Sequence, residues 1–95
     1  MELPAHPQPI EVHSNDRTIS VGVTEEGQPT GVQLTQEALR LSGAELARRI
    51  MRLYSLGKTA ALAVLNIEHN RETGTWVPSW PSQAHVDLLE RQIDF

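Results

Sequence analysis

The chain has 95 residues, no cysteine and a net charge of −4, which limits it to one small domain without disulfides or thiolate chemistry. The negative charge argues against a free-standing DNA-binding domain, because the neutralisation of phosphates supplies most of the affinity of such domains. A chain of this length has little core of its own, so oligomerisation is a common route to stability.

Residues 1–9 contain three of the six prolines and are expected to form a flexible arm. This arm has neither the basic region nor the apolar region of a signal peptide. The longest mostly apolar run, Thr59–Ile67, is too short to cross a bilayer. We therefore expect a soluble, cytoplasmic protein that does not enter a membrane.

Alternating apolar residues predict a small antiparallel sheet. Residues 10–13 (IEVH) indicate a short first strand, and residues 18–24 (TISVGVT) a second one with an apolar face. Residues 25–28 (EEGQ) are typical of a hairpin loop, in which Gly27 supplies a positive φ. The return strand is predicted over residues 31–35 (GVQLT). The residues expected on the apolar face are Ile19, Val21, Val23, Val32 and Leu34.

One long amphipathic helix is predicted from about Gly43 to Glu68. Ser42 opens a capping box, in which Ser42 caps the first turn and Glu45 reaches back to the Ser42 amide. Apolar residues then alternate at spacings of four and three, a heptad seam typical of helices that pack against a neighbour. The seam consists of Leu46, Ile50, Leu53, Gly57, Ala60, Val64 and Ile67.

A proline-containing segment with two tryptophans follows the helix. Residues 82–93 (SQAHVDLLERQI) then return to the spacing of a short amphipathic helix. The favoured interpretation is that Trp76 and Trp80 fold back and complete a small core. The alternative is that they stay exposed and anchor another protein, because tryptophan is enriched in interface hot spots.

These patterns predict an α+β fold, with an antiparallel sheet of two or three strands, one long amphipathic helix and a short C-terminal helix. We expect three regions: the arm 1–9, a hairpin with the long helix over 10–70, and the segment 71–95. The sheet face and the heptad seam together exceed what the unit covers alone. We therefore expect at least a homodimer, with the sheet-face and seam residues in its core or interface.

Arginines on the long helix form the chain's only basic cluster. Arg48 and Arg52 are four residues apart on one face, with Arg49 beside them and Arg40 nearby. They could contact phosphates. The alternative is a solvated helix face, paired with Glu45 and with acidic groups across a dimer.

No catalytic, metal or cofactor site is predicted. The four histidines are scattered, and none lies four residues from another. The tripeptide Gly57-Lys58-Thr59 lacks the upstream glycine of a phosphate-binding loop. We therefore expect a protein without enzymatic activity and without a cofactor.

The phrases TISVGVT, EEGQ, GVQLT, QEALRL and SGAELARRI occur in this order over about half of the chain. This stretch resembles the YbaB/EbfC family of nucleoid-associated proteins, in its divergent actinobacterial form. The chain departs from the family at both ends. A Pro-rich arm replaces the long charged N-terminal helix, and residues 71–95 extend beyond the usual C-terminal helix.

The resemblance implies a dimer of three-stranded sheets with helices extending outward. It also implies weak, non-specific DNA binding, for which the candidate residues are Arg40, Arg48, Arg49 and Arg52. Some divergent relatives are accessory proteins of type VII secretion. The alternative function is thus a chaperone-like or secretion-associated component that binds another protein through Trp76, Trp80 and the final helix.

Overall fold

The structure is a computed structural model that describes residues 1–95. Strands β1 (Ile10–His13), β2 (Ile19–Val23) and β3 (Pro29–Leu34) form one antiparallel sheet in the order β1-β2-β3. Gly27 turns the chain between β2 and β3 with a φ of 86°. Because β3 is an edge strand, Pro29 is tolerated at its start. The predicted α+β fold is confirmed, with three strands.

A short 3-10 turn (Ala38–Arg40) leads into helix α1 (Gly43–Thr73), and helix α2 (Gln83–Arg91) follows. Helix α1 extends five residues beyond the predicted end at Glu68. It stops where Gly74 takes a φ of 76° and donates its amide to Asn70 O, at 2.7 Å. A left-handed glycine is a common way to end a helix.

Only half of the predicted capping box forms at the start of α1. Ser42 Oγ accepts the amide hydrogen of Glu45, at 3.1 Å. The Glu45 carboxylate does not return to the Ser42 amide and instead accepts hydrogen bonds from Arg48 and Arg49. The Glu45 side chain binds the two arginines rather than the Ser42 amide because charge-assisted hydrogen bonds are stronger than a hydrogen bond to a neutral amide.

Helix α1 packs on one face of the sheet. A methyl group at Gly57 would lie 3.4 Å from Val23 Cγ1 and 3.6 Å from Val12 Cγ2. These are ordinary van der Waals distances, so α1 lies on the valines of β1 and β2 at this position with room for a methyl group. Leu53 fills the core one turn earlier without any exposure. Burial of these apolar side chains is the main source of stability in the fold.

Helix α2 packs against α1 and covers part of its apolar stripe. The sequence pattern alone did not indicate which element covers this stripe. Val86 is fully buried, and Ile93 and Phe95 belong to the same core. Of the residues predicted for the core or the dimer interface, six are buried within the single chain: Ile19, Val21, Val23, Leu53, Gly57 and Val64. Five are partly or well exposed: Leu46, Ile50, Ile67, Val32 and Leu34.

The arm of residues 1–9 lies along the two helices. Its terminal ammonium donates a hydrogen bond to Glu90 Oε1 at 2.6 Å, and Arg71 Nη2 donates to Ala5 O at 3.0 Å. Leu3 packs against the core. The flexibility predicted for this arm stays a prediction.

Candidate interaction surfaces

Two apolar residues of β3 face the packed side of the sheet but remain partly exposed. Val32 is registered opposite Val21, and Leu34 opposite Ile19. Residues paired in this way project from the same face of a sheet, and here that face carries α1. Val21 and Ile19 are buried, whereas Val32 is 44% exposed and Leu34 is 39% exposed. Helix α1 therefore covers β1 and β2 and leaves β3 open.

One flank of α1 borders this open strand. Tyr54 Oη donates a hydrogen bond to Gly27 O, at 3.3 Å, in the loop that leads into β3. Ile50 lies one turn earlier on the same flank and is half-buried against the core. We call Val32, Leu34, Ile50 and the outer edge of β3 the β3 face.

The edge of β3 carries no charge. Residues 29–36 (PTGVQLTQ) include no ionisable side chain, and β2 is the only strand that pairs with β3. Edge strands usually carry charges or prolines that block pairing with another chain. The opposite edge strand, β1, has Glu11 and His13, whereas β3 has only Pro29 at its start. The β3 face is thus open to strand pairing.

A buried asparagine fixes the tryptophan segment. Asn66 Oδ1 accepts the amide hydrogen of Val77 at 2.8 Å, and Asn66 Nδ2 donates to Val77 O at 3.3 Å and to Pro81 O at 3.4 Å. Trp76 precedes the fixed residue and is 57% exposed. Trp80 is half-buried and meets the ring of His69 edge-on, with centroids 6.4 Å apart. The expected fold-back is therefore seen for Trp80, which packs against His69, whereas the indole of Trp76 stays exposed.

The candidate phosphate-binding arginines make contacts within the chain. Arg48 binds both carboxylate oxygens of Glu45, at 2.7 and 2.9 Å, and Arg49 binds the same carboxylate at 2.8 Å. Arg52 Nη1 donates to Gln92 O at 3.2 Å. Arg40 lies exposed on the 3-10 turn and makes no ion pair. Three of the four arginines therefore already form hydrogen bonds within the single chain.

Glu45 gives this region a pH dependence. The hydrogen bonds from Arg48 and Arg49 lower the pKa of its carboxyl from 4.5 to about 2 in the folded chain. The resulting stabilisation is complete above about pH 4.5 and is lost as the pH falls towards 2. In thermal unfolding over this range, Glu45→Gln should therefore lose less stability on acidification than the wild type. Glu26→Gln, in the loop between β2 and β3, should keep the wild-type profile; a Glu45→Gln profile equal to it would contradict the pairing.

No helix is long and apolar enough to cross a membrane, and no group of three or more His, Asp or Glu side chains is placed to hold a metal ion. Comparisons with protein-family models, curated proteins and solved structures find no match to this chain.

Proposed function

We propose that this chain is a non-enzymatic protein that forms a homodimer of the YbaB/EbfC type and binds another protein. The observation that supports the dimer is the β3 face, where partly exposed apolar side chains on the packed side of the sheet lie beside the unpaired and uncharged outer edge of β3. A small domain gains stability when such a face is covered.

A second copy fits this face by symmetry. Two β3 strands that pair antiparallel across a two-fold axis make an isologous contact and join the sheets of both copies. Each copy would place Val32 and Leu34 beside those of its partner and close to the Ile50 flank. Two chains of charge −4 repel each other least where neither carries a charge, and residues 29–36 provide that stretch.

Substitution of Val32 tests the dimer. Val32→Glu should convert a dimer into a folded monomer, because a carboxylate in the interface would lose its hydration without gaining a partner. Light scattering measures the mass, and circular dichroism checks the fold, which should persist since Val32 is exposed in the single chain. Gln28→Glu adds the same charge just before β3 and should stay dimeric. A monomeric wild type, or a dimeric Val32→Glu variant, would contradict the proposal.

The proposed partner class is protein, and Trp76 is the residue proposed to contact it. The backbone next to this exposed indole is already held by Asn66, so less backbone freedom is lost on binding, which favours Trp76 as an anchor. A groove of about 400 Å³ beside Trp80 adds apolar surface between the two helices, lined by Leu62, Pro78 and Leu88. Nucleic acid is the less favoured partner for this arrangement because Arg48, Arg49 and Arg52 are already engaged.

A further inference from the structure

Helix α2 runs antiparallel to α1, and a groove follows one side of the pair. Arg52 Nη1 donates to Gln92 O just after the end of α2, whereas Leu62, further along α1, shares a depression with His85 near the start of α2. Two depressions of about 380 and 400 Å³ lie along this seam, and Leu89 lines both. We call the two together the helix groove.

Apolar side chains line the helix groove along its length. Met51 is 60% exposed and Leu88 is 53% exposed, and the half-buried Leu89, Leu62 and Trp80 lie between and beyond them. On α1 the lining extends from Met51 to Leu62, a distance of about 16 Å or three turns of helix. An apolar groove of this length between two helices suits the apolar face of a third helix.

The charge of the helix groove is positive, in contrast to the net charge of −4 of the whole chain. Its lining contains Arg48, Arg52 and Lys58 and no carboxylate. Glu45 already neutralises Arg48. Arg52 and Lys58 form no ion pair within the chain, so these two cations are available to carboxylates of a partner.

The acidic residues of α2 lie outside the helix groove. Asp87 accepts a hydrogen bond from Gln83 Nε2 at 2.9 Å, and Glu90 accepts one from the Met1 ammonium at 2.6 Å. Neither carboxylate lines the groove. The helix groove therefore presents cations and apolar groups to a partner, while these carboxylates contact other parts of the chain.

The end of the helix groove near Arg52 is held in place by distant parts of the chain. Ile93 lines this end, and Asn15 Nδ2 donates to Ile93 O at 2.9 Å. The centre of the Phe95 ring lies 5.0 Å from the guanidinium carbon of Arg49, a cation–π distance. Because Ile93 and Phe95 are also buried in the core, the groove is already formed in the free chain, which lowers the entropic cost of binding.

We propose that the helix groove binds an acidic amphipathic helix of another protein. The apolar face of that helix covers Met51 and Leu88, and its carboxylates reach Arg52 and Lys58. These cations are six residues apart, or about 9 Å along α1, which matches carboxylates one to two turns apart on the partner. The inference rests on the proposed protein-binding role and adds the chemistry of the partner. A nucleic-acid backbone fits less well because it would leave Met51 and Leu88 uncovered.

A designed peptide tests the helix groove directly. The probe is a fluorescein-labelled peptide of about 16 residues, long enough for four turns, with leucines along one helical face and glutamates beside them. Fluorescence anisotropy at low salt should show that the wild type binds it. A peptide with the same leucines and lysine in place of glutamate should bind about tenfold more weakly, because repulsion replaces two ion pairs. A peptide of the original composition with scattered leucines should not bind.

Reversal of the two groove cations should reverse this preference. Arg52→Glu combined with Lys58→Glu should lower the affinity for the glutamate peptide about tenfold and raise that for the lysine peptide. Arg40→Glu combined with Arg91→Glu changes the net charge equally outside the groove and should leave both affinities as in the wild type. Circular dichroism checks the fold. If the first pair does not fold, Lys58→Glu alone makes the same test, since Lys58 has no ion pair to lose.

The fluorescence of Trp80 reports whether the peptide occupies the helix groove. Trp76→Phe leaves Trp80 as the only tryptophan of the chain, and Trp80 lines the groove whereas Trp76 does not. Binding of the glutamate peptide, which contains no tryptophan, should shift the emission of this variant. Binding without a change in emission would place the peptide elsewhere and overturn the inference.

The inference is also overturned if the wild type does not bind the glutamate peptide, or if exchange of the charges on either partner has no effect. The proposed function is judged by a different result, the loss of captured host proteins on Trp76→Ala. Capture that depends on Trp76 without peptide binding would retain the proposed function and exclude the helix groove. Peptide binding with unchanged capture would retain the groove and exclude Trp76 as the anchor.

Discussion

Leu53→Ala should lower the free energy of unfolding by about 3 kcal/mol, within the range found for leucine-to-alanine changes in packed cores. Leu53 has no exposed surface, and it lies on α1 one turn before Gly57, where the helix contacts the sheet. Truncation removes apolar burial and leaves a cavity that the flanking elements cannot fill. Urea unfolding followed by circular dichroism measures the loss.

Met51→Ala is the matched control for this change. Met51 lies on the same helix and is 60% exposed, so its truncation should alter stability by no more than about 0.5 kcal/mol. An equal cost at both positions would mean that the face of α1 with Leu53 is not the face that packs on the sheet.

Asn66→Ala should cost about 2 kcal/mol, because it removes a buried acceptor and leaves the Val77 amide without its partner. It should also loosen the segment that displays Trp76. Amide hydrogen exchange at Val77 should become faster, and unfolding in urea gives the loss of stability. Asn70→Ala, one turn further along α1, removes an amide side chain of the same size that makes no side-chain hydrogen bond and should change neither measurement by much.

The same variant tests the proposed protein partner. When the tagged wild-type protein is used to capture proteins from its host, Trp76→Ala should lose the specific partner because it removes the anchor itself. Asn66→Ala should weaken capture because it loosens the anchor while leaving Trp76 in the sequence. If both variants capture the same proteins as the wild type, Trp76 has no part in binding.

Local patterns predicted the elements well, because each depends on residues close in sequence. The alternation of Ile19, Val21 and Val23 predicted β2, and the spacing of Leu46, Ile50 and Leu53 predicted α1. The end of α1 was placed too early at Glu68. Gly74 was the available signal, since a glycine after a helical run often ends it in the left-handed conformation.

The covering of the helix depends on contacts between distant residues and was harder to predict. The seam was correctly identified as apolar, but it does not show which surface covers it. Its central residues Leu53 and Val64 are buried by the chain's own elements. The period-two pattern placed Val32 and Leu34 on the apolar sheet face, whereas their exposure follows from the position of α1 over β1 and β2.

Two contacts at the candidate surfaces were missed for the same reason. Arg48 and Arg49 are recognisable in the sequence as part of a basic cluster, yet nothing near them in sequence indicates that Phe95 lies against them. Asn66 offered a weak signal, because it is the one amide within the apolar run Thr59–Ile67. Buried amides need hydrogen-bond partners, and here the partners are backbone groups of Val77 and Pro81.

The bond between Asn15 and Ile93 joins residues that are 78 positions apart, which has a consequence for biosynthesis. The strands and α1 are synthesised before α2 and the residues after it. Domains dominated by such distant contacts fold slowly, and incompletely packed chains expose apolar surface that promotes aggregation. Chains truncated before residue 93 lack the packing of Ile93 and Phe95 and the bond to Asn15, and they are therefore expected to aggregate more readily than the chain that includes these residues.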